Sequence, residues 1–117
     1  MVVSGNRRTV NAGAARWAYQ DARLRWKHVV QRWRVKDRVE RADGPRRVVI
    51  VRCYGGGSCT RRLDRDNAWA GLKPLLDALV HQGLLVDDSD RHAEVYLLQE
   101  EARRGESGTV VTIEDLT

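Results

Sequence analysis

Residues 46–54 read Arg-Arg-Val-Val-Ile-Val-Arg-Cys-Tyr and contain four successive β-branched side chains, Val48 to Val51. Such side chains pack well on a pleated surface, and a short continuous apolar run is typical of a largely buried strand. Three glycines, Gly55 to Gly57, end the run. No Gly-Lys-Ser or Gly-Lys-Thr follows them, so we interpret this loop as a hairpin tip rather than a phosphate-binding loop.

Residues 11–37, before this strand, have the spacing of a long helix. At about 100° per residue, one narrow apolar stripe is formed by Ala15, Tyr19, Ala22, Trp26, Val29 and Trp33. A helix with one apolar stripe buries that stripe and exposes the opposite side. We therefore expect this helix to pack on the strand.

A second helical pattern follows the strand. It spans residues 67–82 and places apolar side chains at Trp69, Leu72, Leu75, Leu76, Leu79 and Val80. Asp66 is positioned to be its N-cap and Gly83 to be its C-terminal stop. Gly71 and Pro74 weaken the first turns, so we expect the helix to kink there or to begin near Lys73.

The end of the sequence has the pattern of a β-hairpin. Residues 93–101 and 109–114 are predicted strands, and residues 103–108 are the turn between them. With 117 residues, the chain is long enough for one domain with one modest core. We expect a single α+β domain, residues 1–117, with a small mixed or antiparallel sheet and two main helices.

The charge of the chain is divided unevenly along its length. Residues 1–62 hold 16 basic and 4 acidic side chains, a net charge of +12, whereas residues 63–117 hold 5 basic and 12 acidic ones, a net charge of −7. A basic half favours a polyanionic partner, although accidental asymmetry in an ordinary domain remains an alternative. No apolar run is long enough to cross a bilayer, and Met1 to Ser4 lack the order of a signal peptide. We therefore expect a cytoplasmic protein.

Basic side chains form a second stripe on the first predicted helix, about a quarter turn from the apolar one. It comprises Arg16, Arg23, Lys27 and Arg34. A solvated face is the ordinary explanation of such a stripe, but its freedom from acids favours contact with nucleic acid. Arg61 and Arg62 are added as candidate contacts to a DNA backbone.

The acidic half contains two carboxylate motifs, Asp64-Arg65-Asp66-Asn67 and Asp87-Asp88. If residues 64–66 are extended, the first two carboxylates point to the same side, about 6 to 7 Å apart. Two or three carboxylates, completed by water and a phosphate oxygen, suit magnesium. A magnesium ion held in this way polarises a phosphodiester. Lys73 would lie on the same helical face as Asp66 if the helix is continuous, where its ammonium group would offset transition-state charge.

Two other interpretations of these acids have to be weighed. Asp66 is equally suited to capping a helix while residues 87–90 form a polar turn, and composition alone favours this structural explanation. An EF-hand loop starting at Asp64 is excluded, because its sixth position is Trp69 instead of Gly and its twelfth is Leu75 instead of Glu.

Three motifs in order give the sequence a family resemblance. They are Leu63-Asp64-Arg65-Asp66-Asn67, then Leu72-Lys73-Pro74-Leu75-Leu76-Asp77-Ala78-Leu79, then Gly83-Leu84-Leu85-Val86-Asp87-Asp88-Ser89. In this order they resemble the RusA-like Holliday-junction resolvases of bacteria and phages. Outside residues 63–89 the resemblance is limited to element order and basic character. Members open with a strand and a Pro-Ser-x-Asn-like turn, for which this chain offers only Ser4 to Arg8, so we expect a first strand that is truncated or missing.

The resemblance implies a small homodimeric endonuclease that requires Mg²⁺ or Mn²⁺ and cuts branched DNA. It assigns metal binding and catalysis to Asp64, Asp66 and Asp88, the essential lysine to Lys73 and an auxiliary role to Asp87. The expected partner is a four-way DNA junction, with no small-molecule substrate and no membrane, in a bacterial or phage-infected cell. The alternatives are a non-catalytic DNA-structure-binding protein with a structural acid cluster, and a small RNA-binding or phage accessory protein.

Overall fold

The computed structural model describes residues 8–12, 19–55, 61–102 and 108–116. Its elements, in chain order, are β1 (Arg8–Ala12), α1 (Tyr19–Lys36), β2 (Arg46–Tyr54), α2 (Arg65–Ala70), α3 (Lys73–His81), β3 (Ala93–Glu101) and β4 (Gly108–Asp115). The predicted α+β class is confirmed. None of the described helices is long and apolar enough to cross a membrane.

The four described strands form one mixed sheet in the order β1-β4-β2-β3. Strand β2 pairs in parallel with β3 and antiparallel with β4, which in turn pairs antiparallel with β1. The predicted hairpin between the last two strands is therefore wrong, because β2 lies between them. Of the loop predicted as a hairpin tip, Gly56 and Gly57 lie outside the described residues. The next described elements after β2 are the helices α2 and α3, which return the chain to the starting end of β2, so that β3 runs parallel to β2.

The predicted first helix begins too early. Asn11 and Ala12 belong to β1, whose five residues pair with β4 in a register that sets Val10 against Val111. A first strand is thus present, and the described part of the helix starts at Tyr19. Periodicity favoured a helix across residues 11–18, but pairing with β4 depends on a partner about a hundred residues away.

Both main helices pack on one face of the sheet, where the core lies. Strands β2 and β4 contribute Val48, Ile50, Val111 and Ile113, and the helices contribute Trp26, Val30, Trp33, Leu75 and Leu79. Trp26 and Trp33 are buried as predicted, and the indole Nε1 of Trp33 has no hydrogen-bond partner. Val30, which the predicted stripe omits, is completely buried, because the stripe was drawn too narrow for a helix facing a broad sheet.

The segment predicted as one helix over 67–82 is two helices. Gly71 and Leu72 separate α2 from α3, and α3 begins at Lys73 with Pro74 in its first turn. The beginning near Lys73 is therefore confirmed. The predicted stop is also correct: Gly83 has φ +77°, and a Cβ at this position would lie 2.7 Å from Nε of Arg41. The N-cap of α2, however, is Asp64 and not Asp66.

Arg46 fixes the start of β2 to three other segments. Its side chain is 4% exposed and donates to Oδ1 of Asp115 at 2.7 Å, to the carbonyl oxygen of Leu84 at 3.0 Å and to that of Arg41 at 3.4 Å. Several partners are what a buried guanidinium requires, because its fixed fork of donors is costly to leave unpaired. This network ties the chain after α3 to the sheet. We call the end of the β2–β3 pair at Arg46 and Ala93 the amino edge, and the end at Tyr54 and Glu101 the carboxyl edge.

Candidate functional site

The two acidic motifs lie at opposite ends of the connection between β2 and β3. Asp64 precedes α2, and the neighbouring Leu63 is hydrogen-bonded to the Gln99 side chain, near the carboxyl edge. Asp88 follows α3 and precedes Ser89, whose carbonyl oxygen accepts from the backbone N–H of Ala93, at the amino edge. From Ala93 to Gln99 a strand rises about 20 Å. Within one chain, Asp64 and Asp88 therefore lie toward opposite ends of strand β3.

Asp64 is held by Asn67, the last residue of its motif. Its Oδ1 accepts from the backbone N–H of Asn67 at 2.8 Å, and its Oδ2 accepts from the Asn67 side-chain amide at 3.2 Å. The first contact is an N-cap of α2, and the second fixes the rotation of the carboxylate. Each oxygen keeps further acceptor capacity, and Asp64 is exposed. Asn67 thus orients Asp64, a role that sequence analysis did not assign to it.

Gln99 fixes the backbone from which Asp64 projects. Its Oε1 accepts from the N–H of Leu63 at 3.0 Å, and its Nε2 donates to the carbonyl oxygen of Leu63 at 2.9 Å. Arg52 extends the contact by donating to Oε1 of Gln99 at 3.1 Å and to the carbonyl oxygen of Arg61 at 2.7 Å. A carboxamide supplies both the acceptor and the donor that one peptide unit needs. These two side chains hold the segment before α2 against the sheet.

If the chain cleaves branched DNA as the resemblance implies, Gln99→Leu should reduce metal-dependent cleavage about tenfold while junction binding changes little, since both hydrogen bonds that orient residues 63–64 are lost. Gln99→Glu keeps the acceptor for the Leu63 N–H but loses the donor, so its effect should be intermediate. Single-turnover cleavage and junction affinity are the measurements. Glu40→Gln, at an exposed position on the connection between α1 and β2, is the control. Unchanged cleavage by Gln99→Leu would remove Gln99 from this role.

Asp66 and Lys73 are arranged differently from the prediction. Residues 64–66 are not an extended segment, because Asp66 lies in the first turn of α2. The break at Gly71 also removes the continuous helix that would have put Lys73 on the same face as Asp66. Both side chains are exposed. The catalytic roles of these residues stay predictions. The position of Asp66 is set by α2 and that of Lys73 by the start of α3.

Asp87 and Asp88 are exposed residues of the turn between α3 and β3. The backbone N–H of Asp88 donates to Oδ1 of Asp87 at 2.8 Å. This contact agrees with the polar-turn interpretation.

No group of three or more His, Cys, Asp or Glu side chains suited to a metal occurs within the described residues. Asp64, Asp66 and Asp88 are all described, so they do not form such a group within one chain. The residue types do fit magnesium, because exposed carboxylates are hard oxygen donors and Mg²⁺ accepts one or two of them together with water and phosphate.

The predicted DNA-binding residues occupy varied positions. Arg16 lies outside the described residues, whereas Arg23, Arg61 and Arg62 are exposed. Lys27 is half-buried, and Arg34 donates through Nε to Oε1 of Gln82 at 3.1 Å. The outward face of α1 presents another basic row, which comprises Arg25, His28, Arg32 and Lys36. Spacings of three and four residues identify such a row in a sequence once the buried stripe is drawn through Val30.

The alignment of α1 follows from contacts near its end. Arg34 meets Gln82 after α3, and the carbonyl oxygen of Gly83 accepts from the N–H of Ala42 at 2.8 Å. The last turn of α1 is therefore at the amino edge. At about 1.5 Å per residue, its 18 residues extend far enough to reach toward the carboxyl edge. The basic side chains of α1 are thus distributed between the two edges of the sheet at which the acidic motifs lie.

Neither models of known protein families nor curated proteins match this chain, so the likeness to resolvases rests on the three motifs between residues 63 and 89.

Proposed function

We propose that the chain is a metal-dependent endonuclease that cuts four-way DNA junctions by phosphodiester hydrolysis. The observation that carries the proposal is the segment 63–67, in which both acids of the resolvase-like motif are exposed while Asn67 orients Asp64 and Gln99 holds the backbone of Leu63. Preorganised, solvent-facing carboxylates suit a site that must admit a bulky phosphodiester.

Asp64, Asp66 and Asp88 would bind Mg²⁺ or Mn²⁺ in this enzyme. The bound ion supplies Lewis acidity to the scissile phosphate and lowers the pKa of a coordinated water. Asp64 offers the acceptor positions that Asn67 leaves unused, and Asp66 offers an exposed carboxylate in the first turn of α2. Lys73, exposed at the start of α3, would offset negative charge on the phosphate as it is attacked.

The DNA backbone would lie along the basic surface of α1. Arg23 and the row Arg25, His28, Arg32 and Lys36 are exposed on it, and Arg61 and Arg62 precede the acidic motif. Arginine and lysine contacts to phosphates give affinity without sequence selectivity. This suits a protein that recognises a branched shape.

The proposed enzyme is a homodimer for two reasons. A four-way junction requires paired cuts, which a two-fold symmetric protein delivers from equivalent sites. In addition, Asp64 and Asp88 lie at opposite edges of the same chain, so a second copy is the means of bringing an Asp88 beside Asp64 and Asp66. Each site would then draw its acids from both chains.

Cleavage of a four-way junction, beside a linear duplex of the same sequence, tests the proposal. We expect paired nicks near the crossover in Mg²⁺ or Mn²⁺, little cutting of the linear duplex, and no cutting in EDTA. Cleavage that is the same with and without divalent metal, or no cleavage of any branched substrate, would contradict it.

A non-catalytic DNA-structure-binding protein is the second candidate. It is favoured by the role of Asp64 as the cap of α2 and by the separation of the acids within one chain. Calorimetric titration of the protein with Mn²⁺ and junction DNA distinguishes the two candidates. The enzyme predicts metal binding that Asp64→Asn and Asp88→Asn remove, whereas the binding protein predicts no such dependence.

A further inference from the structure

Trp69 differs from the other tryptophans whose side chains the structure describes. Its side chain is 37% exposed, whereas those of Trp26 and Trp33 are 7% and 4% exposed in the core. Burying an indole is favourable because it removes a large apolar surface from water. A single exposed apolar residue is nevertheless ordinary on a protein surface, so the neighbours of Trp69 decide whether its exposure has a role.

The indole of Trp69 projects from a hydrogen-bonded helix. The side chain of Asp64 caps the first turn of α2. After the last turn, the N–H of Leu72 donates to the carbonyl oxygen of Trp69 at 3.0 Å. The backbone that carries the indole is thus fixed at both ends of α2. An aromatic side chain has only two rotatable bonds, so it loses little conformational entropy when it binds a partner.

Trp69 lies on the same side of α2 as Asp66, one of the proposed metal ligands. Residues three and four positions apart on a helix are neighbours, with Cβ atoms about 5 to 6 Å apart. Asp66 is three residues before Trp69 and Arg65 is four residues before it, and both are exposed. Ala68 is the buried residue of α2 and lies about 100° around the helix from Trp69. The outer side of α2 therefore presents a carboxylate, a guanidinium group and an indole next to one another.

Three exposed arginines precede Trp69 closely in the chain. They are Arg61, Arg62 and Arg65, and none of them forms an ion pair with another described residue. A guanidinium group without an acidic partner is open to phosphate oxygens, which its fork of donors binds well. Arginines beside an exposed aromatic ring are typical of surfaces that hold unpaired nucleotides, because the cations follow the backbone while the ring stacks on a base.

We propose that Trp69 stacks on a base left unstacked at the branch point of a DNA junction, beside the phosphate held at Asp64 and Asp66. In a linear duplex each base is covered by its neighbours, and exposing it costs free energy. A base at a branch point has already lost part of this stacking, so it reaches the indole at a lower cost. Every base has a π face, so the contact favours branched over linear DNA without selecting a sequence. Because the acids of the candidate site fix where the phosphate lies, the inference rests on the proposed function.

Trp69→Leu tests the contact in binding titrations in Ca²⁺, with a four-way junction and with a linear duplex of the same sequence. Leucine is apolar but has no π face. We expect the affinity for the junction to fall about tenfold, as for the loss of one base–aromatic contact, and the affinity for the duplex to stay unchanged. The slope of log affinity against log salt should also stay the same, because no phosphate contact is removed. Trp69→Phe keeps an aromatic ring and should retain most of the affinity.

Tyr96→Leu is the matched control, because it removes another exposed aromatic ring. Tyr96 is 46% exposed. It alternates with Val95 and Leu97, which pack against the core, so its ring lies on the face of the sheet away from α1 and α3. Junction binding by Tyr96→Leu should equal that of the wild type. Circular dichroism verifies the fold of each variant.

A 2-aminopurine base at the branch point reports stacking directly. Its fluorescence should be quenched when wild-type protein binds and less quenched with Trp69→Leu. If Trp69→Leu does not fold, the wild type and Trp69→Phe still provide the test, and a probe that neither of them quenches would overturn the inference. Junction affinity of Trp69→Leu equal to that of the wild type, or an equal loss for junction and duplex, would also overturn it.

The outcomes separate this inference from the nuclease proposal, because the titrations measure binding without cleavage. A protein that binds junctions through Trp69 but never cuts them in Mg²⁺ or Mn²⁺ would contradict the nuclease proposal alone. A protein that cuts junctions in Mg²⁺ and binds them equally well as Trp69→Leu would contradict the stacking contact alone.

Discussion

Asp66→Asn is expected to abolish junction cleavage while leaving junction binding intact. The substitution removes one negative charge from an exposed carboxylate in the first turn of α2 and keeps its shape. An amide binds Mg²⁺ much more weakly than a carboxylate, so the metal-dependent rate should fall about 1000-fold, equivalent to about 4 kcal/mol on the barrier. Removing a negative charge beside DNA should keep affinity equal or raise it slightly.

Single-turnover cleavage in Mg²⁺ and a junction-binding titration in Ca²⁺ measure the two quantities separately. Asp90→Asn is the matched control, because Asp90 is an equally exposed acid in the turn before β3 and lies outside the proposed metal ligands. Equal cleavage by Asp66→Asn and the wild type would exclude the endonuclease assignment. A parallel loss in Asp90→Asn would indicate a general effect of charge instead of metal binding.

Two inactive variants, Asp66→Asn and Asp88→Asn, should regain activity when they are co-expressed. If each site takes Asp66 from one chain and Asp88 from the other, a mixed dimer has one site with both acids replaced and one site intact. With random pairing, half of the dimers are mixed, so about a quarter of wild-type sites are restored. Such dimers should nick a junction on one strand without producing the paired cuts of the wild type.

Co-expression of Asp64→Asn with Asp66→Asn is the control for complementation. Both residues lie at the carboxyl edge of the same chain, separated by one residue at the start of α2. Every site in their mixed dimer therefore retains one replaced acid, and activity should stay absent. Restoration by both pairs would point to recombination of the genes, whereas restoration by neither would place all three acids of a site in one chain.

Local signals in the sequence predicted most elements. The run Val48 to Val51 predicted β2, and Pro74 and Gly83 predicted where α3 begins and ends. These predictions succeed because proline geometry and a positive φ act within a few residues. The order of the strands in the sheet was harder to predict. Both β3 and β4 have a strand pattern, but the pattern does not specify which strand each one pairs with.

The sequence indicated which residues form the candidate site better than it indicated how they are arranged. The motif identified Asp64, Asp66 and Asp88, yet the argument for a shared metal site was conditional on an extended segment 64–66, where α2 in fact begins. Asn67 and Gln99 were missed as positioning residues for different reasons. Asn67 is adjacent to the acids, and its cap contact could be found from the spacing of Asp64 and Asn67. Gln99 is 36 residues from Leu63, and only the tertiary fold brings them together.

The position of β4 in the sheet imposes an order on folding. This strand pairs with β1 on one side and β2 on the other, and it is the only described strand that contacts β1 in the sheet. It is also the last of the four to be synthesised, so β1 has no partner while the intervening helices and strands emerge from the ribosome. Pairing across such a sequence separation closes a long loop at an entropic cost, which slows folding. Nascent chains should therefore keep an unpaired strand, open to chaperones or to misassociation, until residues 108–115 are available.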